Sequence, residues 1–213
     1  MNILDTEEII LARYDNGILV PLPESEANWL KIFSSSWEHK GKQGRWMFSS
    51  RGEPVGPAEK TPDAVIVAAI MNKRLVLTSE YRVPIVGREI GFPAGLIDEG
   101  ELVEDAARRE FKEETGLDLE VTHVSPSALY SSAGCTNESI QIVFGNASGS
   151  VSYDGNEGSE DIEVILADYK AVVEYSNTAA PMGAKAWPIL FMLTQMWAEA
   201  EEILGFEYKE GLH

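Results

Sequence analysis

"GLIDEGELVEDAARREFKEETGL", residues 95–117, decides how the rest of the chain is read. The stretch holds eight acidic residues against three basic ones, and its second half has the composition of a helix closed by Gly116. With Val103 at zero and about 100° per residue, Ala106 falls at about −60°, Ala107 at about 40° and Phe111 at about 80°. That arc is the face that must pack on a core. Glu110 at about −20° and Glu114 at about 20° lie in its middle. Asp105, Arg108 and Lys112 lie on the far, solvated side.

Two carboxylates one turn apart and aimed inward repel each other and lose hydration. That is costly unless they are protonated, paired or bound to metal. A charge run ordinarily means a solvated face, but the apolar arc contradicts that meaning here. With Glu113 at the edge of the same face, the cluster offers hard oxygen donors suited to Mg²⁺ or Mn²⁺.

The whole chain bounds the answer further. Its 213 residues suffice for one substantial domain, or one domain plus a small accessory one. With 44% apolar and 24% charged residues it has the balance of a soluble globular protein. A net charge of −18 argues against a nucleic-acid partner and against an anionic membrane. An anionic substrate would therefore need a cation or a few well-placed arginines. Cys135 is the one cysteine, which excludes an internal disulfide and a cysteine-based zinc site. "MNILDTEEIILARYD" has acids where a signal or transit peptide needs bases, and the apolar run "AWPILFML" is too short to span a bilayer. The expected location is cytoplasmic.

Along the chain, residues 1–57 show short alternating segments and read as a small N-terminal β-domain. Within it "NWLKIFSSSW" and "RWMFSSR" flank "EHKGKQG" as a hairpin. "GEPVGPAEKTPD" reads as a linker, and residues 58–213 as the main domain. There "AVIVAAIM" and "RLVLTSEYR" form strands around Asn72–Lys73, and the acidic helix runs over about 102–115. Strands are expected at about 119–130 and 138–145, then a Gly-rich polar loop "GNASGSVSYDGNEGSED". "IEVILAD" reads as a strand, "YKAVVEY" as a short helix and about 185–204 as a closing helix, with Pro188 in its first turn. Strands interleaved with three helices give an α/β class with a mixed sheet.

The stretch from Gly95 to Leu117 resembles the Nudix box, G-x5-E-x7-R-E-U-x-E-E-x-G-U with U bulky and apolar. The matching positions are Gly95, Glu101, Arg109, Glu110, Phe111, Glu113, Glu114, Gly116 and Leu117, with Phe111 where an aliphatic residue is usual. The resemblance implies a Nudix-type α/β/α sandwich that hydrolyses a nucleoside diphosphate linked to another group. It makes Glu110, Glu113 and Glu114 the metal ligands and the Ala94 carbonyl a further one. Glu101 becomes the partner of Arg109 or an outer ligand, and Gly116 is a helix cap with no catalytic part.

The flanks resemble the ADP-ribose pyrophosphatase branch. "GFPAG" leads into the box, "EYRVP" places Arg82 where that branch keeps an arginine for phosphates, and "SSAGCTNES" resembles its post-box loop. Two positions depart from the branch. Ala133 stands where a proline is usual, sixteen residues past the box, and Gly91 where an acid is frequent. The branch layout implies a homodimer built through the N-terminal β-domain. It also implies Trp29, Trp46 and Arg51 as contacts for the nucleotide; packing of the small sheet or an interface explains the tryptophans equally well. Glu138 and Glu160 are both candidates for the base or an extra ligand. His39, His123 and His213 have no partner at catalytic spacing, so Ser-His-Asp chemistry is unsupported. Trp187, Phe191 and Trp197 read as core or interface. ADP-ribose is the first substrate expected, then GDP-mannose-type sugar nucleotides, then dinucleotides such as NADH. A non-catalytic ligand sensor of the same family would have lost Glu110 or Glu114, and both are present.

Overall fold

The computed structural model describes residues 2–9, 12–15, 18–21, 30–54, 61–154 and 161–195. They divide into two compact units. One holds the described residues of Met1–Asp63 together with Ala128–Ile140, and the other those of Ala64–Ser127 and Gln141–His213. The segment Ala128–Ile140 thus belongs with the N-terminal residues, although it follows the box in sequence.

In the first unit, β1 (Asn2–Ile9), β4 (Lys31–His39) and β5 (Lys42–Ser50) form an antiparallel sheet in the order β1-β4-β5. β2 (Ala12–Asp15) and β3 (Ile18–Pro21) form a separate two-stranded ladder. The β4–β5 turn is Lys40–Gly41, with φ of 49° and 74°. Positive φ at both central residues matches the right-handed twist of the strands, which is why a glycine there signals a hairpin. Phe33 is buried and stacks on Phe48 at 5.7 Å between centroids. The linker boundary at 57/58 lies outside the described residues.

In the second unit, β6 (Ala64–Met71) and β7 (Arg74–Arg82) meet through a tight turn at Asn72–Lys73, again with positive φ at both residues. β8 (Gly87–Gly91) pairs with β7, and β9 (Ala94–Leu96) pairs with β6. Helix α1 spans Val103–Thr115. β10 (Asp118–Val124), β12 (Ser139–Ser148) and β13 (Ile162–Ala167) complete a mixed sheet in the order β10-β12-β6-β7-β13. β11 (Leu129–Tyr130), in the first unit, pairs with the first two residues of β12. Helix α2 is Tyr169–Asn177, capped by the Asp168 carboxylate accepting from Ala171 N, and helix α3 is Ala186–Gln195.

The sandwich follows from β6. Side chains alternate across a strand. Val65, Val67 and Ala69 are buried on one face, in a cluster with Ala106, Ala107 and Phe111 of α1. Ile66 and Ala68, on the other face, are buried too. A strand buried on both faces needs a layer on each side, which is why "AVIVAAIM" is continuously apolar.

One expectation changes and another narrows. The Gly-rich stretch after residue 145 begins as strand: β12 runs to Ser148. A Cβ at Gly145 would collide with the Glu120 carbonyl of β10, so this glycine serves close strand approach and not a loop. Of the two readings of Trp187 and Phe191, core or interface, the exposure of both removes the core. They stack on each other at 5.0 Å and stay 44% and 42% exposed, while Trp187 Nε1 donates to the Ser176 carbonyl at 3.0 Å. Trp197 lies outside the described residues. Among the described residues no helix is long and apolar enough to cross a membrane.

Candidate active site

Helix α1 carries its own start and stop signals. Glu104 and Asp105 lie in the first turn and Lys112 in the last, each placed to favour the helix dipole. Gly116 ends the helix at φ 72°, its N–H donating to the Lys112 carbonyl at 2.8 Å. Inward residues are those of the apolar arc: Ala106, Ala107 and Phe111 are fully buried, and Glu114 is 5% exposed. Thr115 is fully buried as well. Its hydroxyl donates to the Phe111 carbonyl and accepts from Leu117 N, so it bridges the last turn to the next strand.

The carboxylates are held in two ways. Glu114 Oε2 accepts from Ala94 N at 3.2 Å, which fixes the buried acid against the loop before the box. Glu110 lies over Gly95, so closely that a Cβ on that residue would overlap its carboxylate. Gly95 is therefore required by contact, not by φ. Glu110 also accepts from Arg109 Nη1 at 2.8 Å, and Glu113 from the same nitrogen at 3.3 Å.

Arg109 is the hub. Its Nε and Nη2 donate to the two oxygens of Glu101 at 3.0 and 2.8 Å, a bidentate fork, and Nη2 also reaches the Leu96 carbonyl at 2.9 Å. Glu101 further accepts from Asp98 N at 3.0 Å. The Arg109 hydrogen bonds, then that backbone bond, pull the Glu101 carboxyl down to about 2. The same pairing raises Arg109 further above its ordinary value. The Leu96 and Asp98 main-chain contacts leave no mark in a side-chain pattern.

The donor set suits a hard divalent cation. Glu110 and Glu114 are carboxylates packed beside the Ala94–Gly95 backbone, with Glu113 half-exposed at the rim. Among the described residues no three His, Cys, Asp or Glu side chains form a ready-made cage. In this conformation Glu110 and Glu113 turn to Arg109.

The other expected site residues are carried by other segments of the chain. Arg82 is in the second unit and pairs with Glu80 at 2.7 Å and Glu89 at 3.5 Å. Trp46, Arg51 and Glu138 are in the first unit. Trp46 is half-exposed, with Nε1 donating to the Gly134 carbonyl at 3.1 Å. Arg51 and Glu138 are ion-paired at 2.9 Å. Trp29 and Glu160 lie outside the described residues.

A model of the NUDIX domain matches residues 60–176, more than half of the chain. The chain belongs to the Nudix family. Among Nudix relatives it is 33% identical over 125 residues to the ADP-sugar pyrophosphatase of Mus musculus, covering 56% of each chain. It is 30% identical over 121 residues to the ADP-ribose pyrophosphatase of Bacillus subtilis, covering 54% of this chain and 64% of that one. The chain spans 56 to 65% of the length of three of the curated relatives it matches. A crystal structure of an ADP compounds hydrolase has the same Nudix fold, with a TM-score of 0.64 at 22% identity, covering 94% of this chain and 95% of that one. Nudix hydrolases generally use divalent cations.

Proposed function

We propose that this chain is a divalent-metal-dependent hydrolase that adds water across the diphosphate of ADP-ribose, giving AMP and ribose 5-phosphate. We rest this reading on the two inward carboxylates of α1, Glu110 and Glu114, held against the Ala94–Gly95 backbone. The relatives named for ADP-ribose and ADP-sugar cleavage support the substrate.

Glu110, Glu113 and Glu114, with the Ala94 carbonyl, are the residues that would hold Mg²⁺ or Mn²⁺. When bound, the cation supplies charge neutralisation at the diphosphate oxygens, which otherwise repel an incoming nucleophile. Arg109 keeps Glu110 and Glu113 oriented and is itself fixed by Glu101. Gly95 leaves the space that Glu110 fills. Arg82, Trp46 and Arg51, with Trp29, are proposed as substrate contacts, and Glu160, of the two acids weighed from the sequence, as the group that accepts the proton from water.

The setting we propose is the cytoplasm, with the chain as a homodimer assembled through its N-terminal β-domain. The three-stranded sheet there is small, and Trp46 and Met47 on it are 52% and 62% exposed. Light scattering at micromolar concentration should give about twice 23.4 kDa, and a monomer mass would refute the dimer.

The deciding experiment is a panel of ADP-ribose, GDP-mannose and NADH with Mg²⁺, products being separated by chromatography. ADP-ribose should give the highest kcat/KM. Ala133 and Gly91, the two departures from the branch pattern, favour a related sugar nucleotide as the second reading. A kcat/KM about tenfold higher for GDP-mannose or NADH would move the substrate and leave the hydrolase standing.

A further inference from the structure

The segment after the box is fastened along the open edge of β5, all within the first unit. An edge strand carries N–H and C=O groups that need partners. At Ser49 the amide donates to the Cys135 carbonyl at 2.9 Å, and the carbonyl accepts from Asn137 N at 3.3 Å and from the Thr136 hydroxyl at 3.0 Å. Ser49 and Thr136 form a parallel bridge. Trp46 adds its indole bond to Gly134. At the far end Ser139 N donates to Asp63 Oδ2 at 2.8 Å, and Asp63 N to the Ser139 carbonyl at 2.8 Å.

Glu138 is the ionic fastener of this strap. Its Oε2 accepts from both Nε and Nη2 of Arg51 at 2.9 Å, and its Oε1 from the Ser131 hydroxyl at 2.8 Å. Its own backbone is bound as well: the amide donates to Thr136 Oγ1 at 3.0 Å and the carbonyl accepts from Ser131 N at 2.9 Å. Both partners of the ion pair keep only about a quarter of their side-chain surface exposed, 26% for Arg51 and 22% for Glu138. A proton acceptor needs a carboxylate oxygen open to water. Here three donors converge on the two oxygens, two of them from Arg51 on Oε2, and a partly buried ion pair holds its geometry better than an exposed one.

We infer that Glu138 is a positioning residue that locks the Arg51 guanidinium and fastens residues 131–139 onto β5, and that it is not the base. Through it, whatever Arg51 and Trp46 bind is presented by one pre-arranged surface. The inference rests on the proposed hydrolase activity only for its kinetic consequence.

The test uses the full chain and three variants, Glu138→Gln, Arg51→Ala and the double variant, with two readouts. Hydrogen exchange by mass spectrometry should show protection lost over residues 131–139 in each single variant, and no further loss in the double one. With ADP-ribose and Mg²⁺, Glu138→Gln should raise KM about tenfold and leave kcat within about threefold, the double variant matching Arg51→Ala. A kcat loss on the order of 10²-fold with KM unmoved would make Glu138 the base and overturn the inference. Unchanged exchange over 131–139 would overturn it as well. If no nucleoside diphosphate derivative is turned over, the proposed activity fails, and the exchange readout alone still decides the fastening.

Discussion

Gly95→Ala separates the role of the box loop from the stability of the fold. A Cβ built on Gly95 meets Cδ, Oε1 and Oε2 of Glu110, each well inside the 3.0 Å that real Cβ atoms keep from other heavy atoms. The loop itself is pinned from both sides: Ala94 N is bound to Glu114, and Ala94, Gly95 and Leu96 pair with Ile66, Val65 and Ala64 of β6. The backbone therefore cannot retreat cheaply. The Glu110 carboxylate, at the end of a flexible chain, moves instead, by about 1 Å or more.

A carboxylate displaced by that much leaves its productive position, and a 1 Å misplacement costs roughly 10²-fold in rate. The fold loses little, because Arg109 still pairs with Glu101. We expect kcat/KM for ADP-ribose to fall about 10²-fold, with the melting temperature lower by only a few degrees. Gly91→Ala is the control: a Cβ there meets nothing within 4 Å and φ is not positive, so it should behave as wild type. Turnover of Gly95→Ala within threefold of wild type would refute the placement of Glu110. So would an activity loss that merely follows the fraction unfolded in a melting curve.

Other expectations follow from the same geometry. Glu114→Gln, which keeps shape and removes a buried charge, should lower turnover by about 10²-fold or more while metal-free thermal stability holds or rises; ordinary turnover at saturating substrate and Mg²⁺ would remove Glu114 from the site. Glu101 is held at about 2 against an ordinary 4.5, so its contribution to stability is complete above pH 4.5 and is lost as pH falls towards 2. Acid denaturation of Glu101→Gln should accordingly show a shallower slope in that window, and an unaltered slope would refute the pairing. Gly116→Ala must adopt φ 72° and push against the Ser152 backbone, so it should cost about 2 kcal/mol or more in chemical denaturation. Its kcat per folded molecule should stay ordinary, because Gly116 touches no reacting group.

What could be read from the sequence was what has a period or a fixed spacing. The wheel of α1 places Ala106, Ala107, Phe111 and Glu114 inward, because helical geometry turns a one-dimensional pattern into a face. The hairpins at Lys40–Gly41 and Asn72–Lys73 are likewise local events, fixed by two residues each. Main-chain contacts between distant segments leave no such trace. Ser49 binds Cys135 and Asn137 through backbone atoms, which any residue except proline supplies, so nothing in "SSAGCTNES" announces that it lies along β5. Gly145 misleads for the opposite reason. Its glycine serves contact with Glu120 and not a turn, and composition alone cannot separate the two uses.

The charge on the inner face of α1 has a consequence for what the site can hold. Four carboxylates stand around one guanidinium, that of Arg109: Glu101, Glu110 and Glu113 at 2.8, 2.8 and 3.3 Å, and Asp98 at 3.9 Å. Glu101 takes the bidentate side of that guanidinium and satisfies it fully. Glu110 and Glu113 share the remaining nitrogen, and Glu114 is held by a neutral backbone amide at Ala94. The pairing is thus uneven: Glu101 meets two of the guanidinium nitrogens, while Glu110 and Glu113 divide the third. An anionic diphosphate cannot approach such a surface without a positive charge between, since like charges a few ångströms apart in a partly desolvated site repel by several kcal/mol. In the proposed function a divalent cation would meet that requirement, with Arg109 yielding its hold on Glu110 and Glu113 while keeping Glu101. On the proposed metal site arginine at this position would organise the ligands, and Arg109→Lys, which keeps the charge but loses the fork, should weaken metal binding more than it weakens the fold. Isothermal titration with Mn²⁺ measures this directly: an affinity equal to wild type in Arg109→Lys would show that the fork does not set the ligands.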